Sequence, residues 1–380
     1  MRSGTGRAVA RSAGPVDHLV ARRLEAQLLA GPAATSVVQV VQRLLAVQAQ
    51  DPRGFRLAIR ARSAGLTAAD VDRALTVDRS VVVSWLNRGT LHLVRAEDFG
   101  WLHALTTPQL ATGVRRRLEQ EQVPPDAVER GIAAIVDAIT TEGPLSRTAL
   151  RPRIAAAGVR TEGQALVHVL YAATVRGLVV RGPVVDGEHA FVLTRDWLGP
   201  LGEPWTGERD EALTRLAGRY LAGHGPAGER DLARWSGLGL RDVRRGLAAL
   251  GSAVRPAGDG LVELADGPGG PGPALEPSAT GPRTPAEPRL LGAFDPLLLG
   301  WVDRTPVLDG HVELVTDNGI FHPFALVDGH AVGRWSMPGG VVTLSPFEPL
   351  PAGVADRLAA DGADVTRFLG RRTRRDPSTS

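Results

Sequence analysis

Three times along the 380 residues, a stretch with helical spacing of apolar residues gives way to two short β-branched runs around a tight turn. In the first stretch, Ser36 stands three residues before Gln39, the spacing of a helix-start capping box. Val37, Val40, Val41, Leu44 and Leu45 then fall on one apolar stripe. Thr67 and Asp70 mark another start. Residues 80–86 and 90–94 come next as strand-like runs around Asn87-Arg88-Gly89. In the second stretch, helix starts fall near Asp126 and Ser146. Thr161 and Gln164 have capping-box spacing, and Leu166, Val169, Leu170 and Ala173 form a stripe. The runs 179–181 and 190–193 then flank Asp186-Gly187. In the third, residues 231–236 and 241–250 read as helices around Gly237-Leu238-Gly239, and 254–264 as a hairpin turning at Asp259-Gly260. A short helix, a glycine turn and a second helix make a helix-turn-helix, and the hairpin behind it makes a winged helix. The repeat is one of pattern rather than of residue identity.

A chain of this length exceeds the roughly 250–300 residues at which single cores stop growing, so several units are expected. The fold class implied is mainly α with β: three tandem winged-helix units and a C-terminal antiparallel β-rich element. Residues 16–125 hold the first unit and a connecting helix, 126–206 the second and 207–264 the third. Residues 265–288, dense in Gly and Pro, read as a linker. From 289 to 370 the pattern changes. Runs at 311–315, 324–327, 331–335 and 341–344 are separated by Asp317-Asn318-Gly319, Asp328-Gly329 and Pro338-Gly339-Gly340, which suggests a small barrel or curled sheet closed by a helix over 351–369. Residues 1–15 and 371–380 are small, polar and basic, and are expected to be disordered.

Composition removes several chemistries. There is no cysteine, hence no disulfide, cysteine-ligated zinc, iron–sulfur cluster or thiol nucleophile. There is no lysine, so all 44 basic residues are Arg and no side-chain amine can form a Schiff base. The nine histidines show no metal-ligand spacing, and neither a phosphate-binding glycine loop nor a Gly-x-Ser-x-Gly elbow occurs. No metal and no cofactor are therefore expected. With 22% charged and 43% hydrophobic residues the chain reads as globular. It lacks any apolar run of about 18 residues, so no membrane partner is expected. The net charge of +3 is mild, and nucleic-acid binding would need the Arg residues gathered on one face.

The most informative local stretch is Gln48-Ala49-Gln50-Asp51-Pro52-Arg53. Pro52 disfavours helix at Asp51, so one helix is expected to stop near Gln50. Asp51 would cap the next helix, with Pro52 in its first turn. Gln48 and Gln50 would then sit at a helix–helix elbow, with Arg53, Arg56 and Arg60 along one face beyond it. By physics alone two solvated glutamines at a helix end is the plainer reading; a phosphate-flanked active site is the other. His92, between Leu91 and Leu93, is expected to face a groove or solvent. Arg241, Arg244 and Arg245 lie opposite the apolar face of their helix, either solvated or on phosphate. Trp85, Trp101, Trp235, Trp301 and Trp335 are expected in the core.

Gln48-Ala49-Gln50, the run Arg88-Gly89-Thr90-Leu91-His92-Leu93-Val94, and Asn318-Gly319-Ile320-Phe321-His322-Pro323 with Leu326-Val327-Asp328-Gly329 resemble the AlkZ-type winged-helix DNA glycosylases. The resemblance runs from about Val16 to Leu369. Glutamine at both positions matches the branch that unhooks cross-links formed by antibiotics of actinobacterial producers. The resemblance implies three winged helices in a C-shape, Gln48 and Gln50 as catalytic residues, and a hairpin that probes the minor groove. Asn318, Gly319 and His322 are the candidates for that hairpin. Arg53, Arg56, Arg60, Arg88, His92, Arg241, Arg244 and Arg245 are the further candidates for DNA contact. The function implied is a monofunctional DNA glycosylase acting on N7-alkylated purines in double-stranded DNA, in repair or self-resistance. It is expected to be a monomer in the cytoplasm, associated with the nucleoid. A non-enzymatic winged-helix regulator is the alternative, and a small-molecule or protein-binding scaffold a third reading.

Overall fold

The computed structural model describes residues 15–185, 187–267 and 286–370. Of the expected disordered ends at 1–15 and 371–380, all but Pro15, which opens a helix, lie outside the described residues, as does most of the proposed linker at 265–288.

The described residues open with α1 (Pro15–Ala26) and α2 (Val37–Leu44). Ser36 Oγ accepts from the Gln39 N–H at 3.2 Å, as the capping spacing requires. A two-residue strand, β1 (Val47–Gln48), comes next, then α3 (Pro52–Ala61), α4 (Ala68–Thr76), and the hairpin β2 (Val81–Leu86) and β3 (Thr90–Arg95). Asp51 caps α3 by accepting from Gly54 N–H, and Thr67 and Asp70 form a full capping box on α4. Helices α5 (Ala96–Thr106) and α6 (Leu110–Gln120) connect to α7 (Pro125–Glu142), α8 (Arg147–Ala156) and α9 (Ala165–Val175), and these lead into the hairpin β4 (Val179–Val185) and β5 (Glu188–Leu193). Here one expected cap fails. Thr161 does not start a helix; α9 begins at Ala165, and the Gln164 N–H donates to Glu121 Oε2 at 3.2 Å. A carboxylate just beyond α6 does from a distance what a local cap was expected to do.

After α10 (Thr194–Leu198) come α11 (Arg209–His224), α12 (Glu229–Ser236) and α13 (Leu240–Ala249), then the hairpin β6 (Val254–Gly258) and β7 (Leu261–Leu264). The remaining described chain holds β8 (Arg289–Leu291), α14 (Pro296–Leu299), α15 (Thr305–Leu308), β9 (Phe324–Val327), β10 (His330–Ser336), β11 (Thr343–Pro346) and α16 (Ala352–Phe368). The class is thus mainly helical with antiparallel sheets. The C-terminal strands form one four-stranded sheet in the order β11-β10-β9-β8. Residues 311–315, expected as a strand, instead form a 3-10 turn at Val312–Leu314, with a single bridge from Val315 to Phe321. The Asp317-Asn318-Gly319 turn closes tightly, with Thr316 N–H donating to Ile320 O and His322 N–H to Leu314 O, and the chain before it coils into the 3-10 turn in place of a longer strand.

The first two hairpins do not stay separate. Val83 pairs with Arg181, joining them into one five-stranded sheet, β1-β3-β2-β4-β5. Fusion covers two strand edges that isolated hairpins would leave open. Trp101, Trp235, Trp301 and Trp335 are buried as expected, while Trp85 is half-buried.

Arginine–aspartate contacts bind distant segments together. Arg62 and Asp295 are both 0% exposed and meet at 2.7 and 3.0 Å, and Arg62 also donates to Gln27 Oε1 at 2.9 Å and to Ala58 O at 3.0 Å. The pair ties α3 to the segment before α14. Asp98 on α5 accepts from Arg95, Arg215, Arg219 and Trp101. Burial pushes its carboxyl up, but the Arg95 hydrogen bond and the Arg219 charge outweigh this and hold it below the usual value. Asp295→Ala should leave the Arg62 cation buried and unpaired, at a cost of about 3–5 kcal/mol. Removing the exposed partner of Arg195 by Asp196→Ala should cost less than about 1 kcal/mol. Chemical denaturation of the two variants checks the contrast; equal losses would contradict it.

Candidate active site and nucleic-acid interface

Helix α2 ends earlier than its apolar spacing implies. Leu45 adopts φ +64°, which breaks the helix, and residues 47–48 extend along the outer edge of β3. Val47 pairs with Leu93 and Gln48 with His92, and the Ala49 N–H donates to Leu91 O at 2.7 Å. The expected helix–helix elbow is therefore an edge strand. Tertiary pairing overrides the local helical signal. The change matters for geometry. In a helix Gln48 and Gln50 would diverge by about 200°. In the extended segment Val47 and Ala49 enter the core and Gln48 alternates to the other face, with Gln50 following at a bend just past the strand.

Gln48 is 8% exposed and Gln50 is exposed. Leu91 N–H approaches Gln50 Oε1 at 3.5 Å, a loose contact that steadies the side chain. Across the sheet, Gln48, His92 and Ser84 stand in register on β1, β3 and β2. His92 is 3% exposed, not facing a groove or solvent as the alternation of its strand suggested; Gln48 and Ser84 flank it in register on either side. Its Nδ1 lies 2.9 Å from Thr90 O. Burial and the Arg88 charge push its pKa down to about 3, so the ring is neutral, with Nδ1–H donating. It underlies the site and does not present itself to a ligand.

Arg88, at the tip of the β2–β3 hairpin, is half-buried. Its Nη1 donates to Arg234 O at 3.1 Å and its Nη2 to Gln48 Oε1 at 3.4 Å. Burial, with the nearby charges of Arg234 and Arg304, lowers its pKa to about 10. The hairpin tip rests on the turn after α12, where Gly237 has φ +77° and a Cβ would lie 3.2 Å from Asn87 O, a close approach that favours glycine. Arg234 on α12 and Arg304 before α15 thus stand near Arg88, and sequence patterning pointed to neither. Neither sits in a row of basic residues; only the packing of three distant segments gathers them.

The other candidates divide. Arg53 and Arg241 are exposed with no ion-pair partner among the described residues. Arg56 donates to Asp72 at 2.9 Å and stacks on Phe55. Arg244 is held bidentate by Glu229 at 2.7 and 2.6 Å, and Arg245 by Asp210 and Asp242. Exposed pairs of this kind are weak and exchange readily for phosphate. Arg60 is different. It is 2% exposed and bound by Asp361, Asp364 and Leu290 O, so it joins α3 to α16 and is removed from any DNA-facing row. Asn318 and Gly319 stand exposed on a turn that closes with Thr316 N–H donating to Ile320 O at 2.9 Å, next to exposed Ile320. His322 is half-buried at the base of that turn, its pKa lowered by burial and by Arg334.

Among the described residues no three His, Asp or Glu side chains converge to hold a metal ion, and no helix is long and apolar enough to cross a membrane. The arrangement offers two neutral carboxamides and a half-buried guanidinium. It can order water and face positive charge with carbonyl dipoles.

A family model described as DNA glycosylase AlkZ-like matches residues 41–368. The chain is 30% identical over 372 residues to an interstrand DNA cross-link repair glycosylase of Streptomyces sahachiroi, covering 90% of this chain and 94% of that one. The solved structure of the Streptomyces sahachiroi DNA glycosylase AlkZ aligns with a TM-score of 0.72 at 26% identity, over 95% of this chain and 98% of the other.

With His92 held neutral by burial, a reaction at this site should show no rate inflection from histidine between about pH 5 and 8. Stability should behave otherwise. A histidine whose folded pKa is depressed to about 3 favours the fold above its unfolded value of about 6.5, and that contribution fades as pH falls below it. A pH–rate profile beside thermal melts tests this; a rate step centred near 6.5 would contradict it.

Proposed function

The chain belongs to the AlkZ-like DNA glycosylase family, and on that premise we propose that it hydrolyses the N-glycosidic bond of N7-alkylated purines in double-stranded DNA, with Gln48 and Gln50 as the catalytic pair. The observation that supports this reading is the edge strand, which sets Gln48 within reach of a half-buried arginine, with Gln50 exposed two residues on. Alkylation at N7 makes the purine cationic and a good leaving group, so departure needs little acid assistance. The sugar then gains oxocarbenium character and water must reach C1′. A carboxamide oxygen accepts a hydrogen bond from that water and turns its negative end toward the developing charge. Such work is positioning and dipole orientation, which glutamine performs without a shifted pKa. Asp51, the neighbouring carboxylate, is occupied in capping α3.

Gln50 is exposed at the sheet edge. An open position of this kind suits a bulky adduct or a cross-linked base, which cannot rotate freely out of the duplex as most glycosylase substrates do. The curated relative named for cross-link repair supports that extension. Arg53, Arg88, Arg241, Arg244 and Arg245 would grip phosphates, and the Asn318-Gly319 turn would enter the minor groove. With no lysine in the sequence, no side-chain imine is available to break the strand, so the product is an abasic site.

Duplex DNA carrying one N7-methylguanine should be cleaved only when alkali is added after incubation with the enzyme. Cleavage without alkali would contradict the monofunctional mechanism. No cleavage of this lesion or of a bulky N7 adduct, despite tight and salt-sensitive binding, would point to a DNA-binding regulator instead.

A further inference from the structure

We propose that Arg88, Arg234 and Arg304 form one binding site for a DNA phosphodiester, and that Arg88 links capture of that phosphate to the orientation of Gln48. The proposal rests on the reading that this face meets DNA. Arg88 comes from the first hairpin tip, Arg234 from α12 and Arg304 from the residue before α15; the hairpin tip packs on the turn after α12 with Arg88 donating to Arg234 O, and Arg304 is close enough for its charge to act on Arg88. Elsewhere in the fold, Arg60 and Arg62 are neutralised by Asp361 and Asp295, while Arg23 and Arg181 rest on carbonyl oxygens and aromatic rings. Here no carboxylate is bonded to any of the three among the described residues. Arg88 has only carbonyl oxygens of Arg234 and Gln48, Arg304 Nε donates to Leu298 O at 2.7 Å, and the exposed Arg234 side chain has no partner among the described residues. Arg234 lowers the pKa of both the others, as like charges brought close must.

Gathered, partly desolvated cations without a counter-charge call for an anion. The planar fork of arginine fits the two non-bridging oxygens of a phosphodiester. Arg304 also lies 5.2 Å over the ring of Phe321, at the base of the exposed 316–320 turn, which places the site beside the segment proposed to enter the minor groove. Arg88 has five N–H donors. One reaches Gln48 Oε1 and one reaches Arg234 O, which leaves donors for phosphate while the glutamine contact persists. The Gln48 carbonyl retains a second lone pair for water. Arg88 is thus a positioning residue: fixing its guanidinium on the backbone fixes which way the Gln48 carboxamide points.

The test uses the full chain, with undamaged duplex for binding and an N7-methylguanine duplex for single-turnover excision. Each phosphate contact contributes about 0.9 to the slope of log affinity against log salt. Arg234→Ala and Arg304→Ala should each weaken binding and lower that slope by about one. Arg73→Ala, on an exposed pair with Asp78 far from the site in sequence and role, should leave the slope unchanged. Arg88→Lys keeps the charge but loses the fork. It should retain the slope while the excision rate at saturating enzyme falls about tenfold or more; Arg88→Ala should lose both. Unchanged slopes in Arg234→Ala, Arg304→Ala and Arg88→Ala would overturn the phosphate site. An undiminished saturated rate in Arg88→Lys would overturn the link to Gln48. Because the slopes come from undamaged DNA, a protein that excises nothing would sink the glycosylase reading and still leave the phosphate site judged.

Discussion

Backbone pairing of residues 47–49 with the outer edge of β3 is the constraint on which the candidate site depends. It ends α2 at Leu44, forces Leu45 to positive φ, and converts a stretch that reads as helix into extended chain. The consequence is that Gln48 stands in register with His92, with Gln50 exposed just past the strand. The same pairing leaves His92 buried between Gln48 and Ser84 and brings Arg88, at the other end of β3's hairpin, within reach of Gln48 Oε1. The helix beyond the glutamines is held equally firmly. Asp51 caps α3, and Arg60 and Arg62, at its end, are locked to Asp361 and Asp295 from the C-terminal part of the chain.

Much of this was legible in the sequence, and the part that was not has a common cause. Helix starts governed by local chemistry, at Ser36, Asp51, Thr67 and Ser146, are where the residues say they are. So are the three hairpins, whose turns carry Asn87, Gly187 and Asp259-Gly260 at positive φ. The glutamine pair was legible as a candidate, but its geometry was not, since only the edge of a strand distant in sequence makes the segment extended. Arg60 looked like one of a row of surface cations; a partner 301 residues distant buries it. The strand expected at 311–315 is the exception, since a local feature, the tight turn closing over residues 316–320, accompanies its loss. Fusion of two hairpins through Val83 and Arg181, and the convergence of Arg88, Arg234 and Arg304, leave no periodicity to read at all.

A lysine-free, cysteine-free chain shapes the chemistry as well as the fold. Every Lys-or-Arg cation is a guanidinium, permanently charged, and the fold commits some of them to buried carboxylates while leaving others without one around Gln48. In the proposed reaction, a cationic leaving group needs a site that orders water and tolerates positive charge. Neutral carboxamides meet that need, and a neutral His92 beside Gln48 adds no competing charge.

The most direct measurement of the central claim is single-turnover base excision by the Gln48→Ala/Gln50→Ala double variant, at saturating enzyme, beside its affinity for the same duplex. The account predicts a rate lower by about two orders of magnitude or more, the scale lost when preorganised dipoles at a transition state are removed, with DNA affinity kept within a few-fold. A double variant that binds normally and excises at the full rate would contradict it.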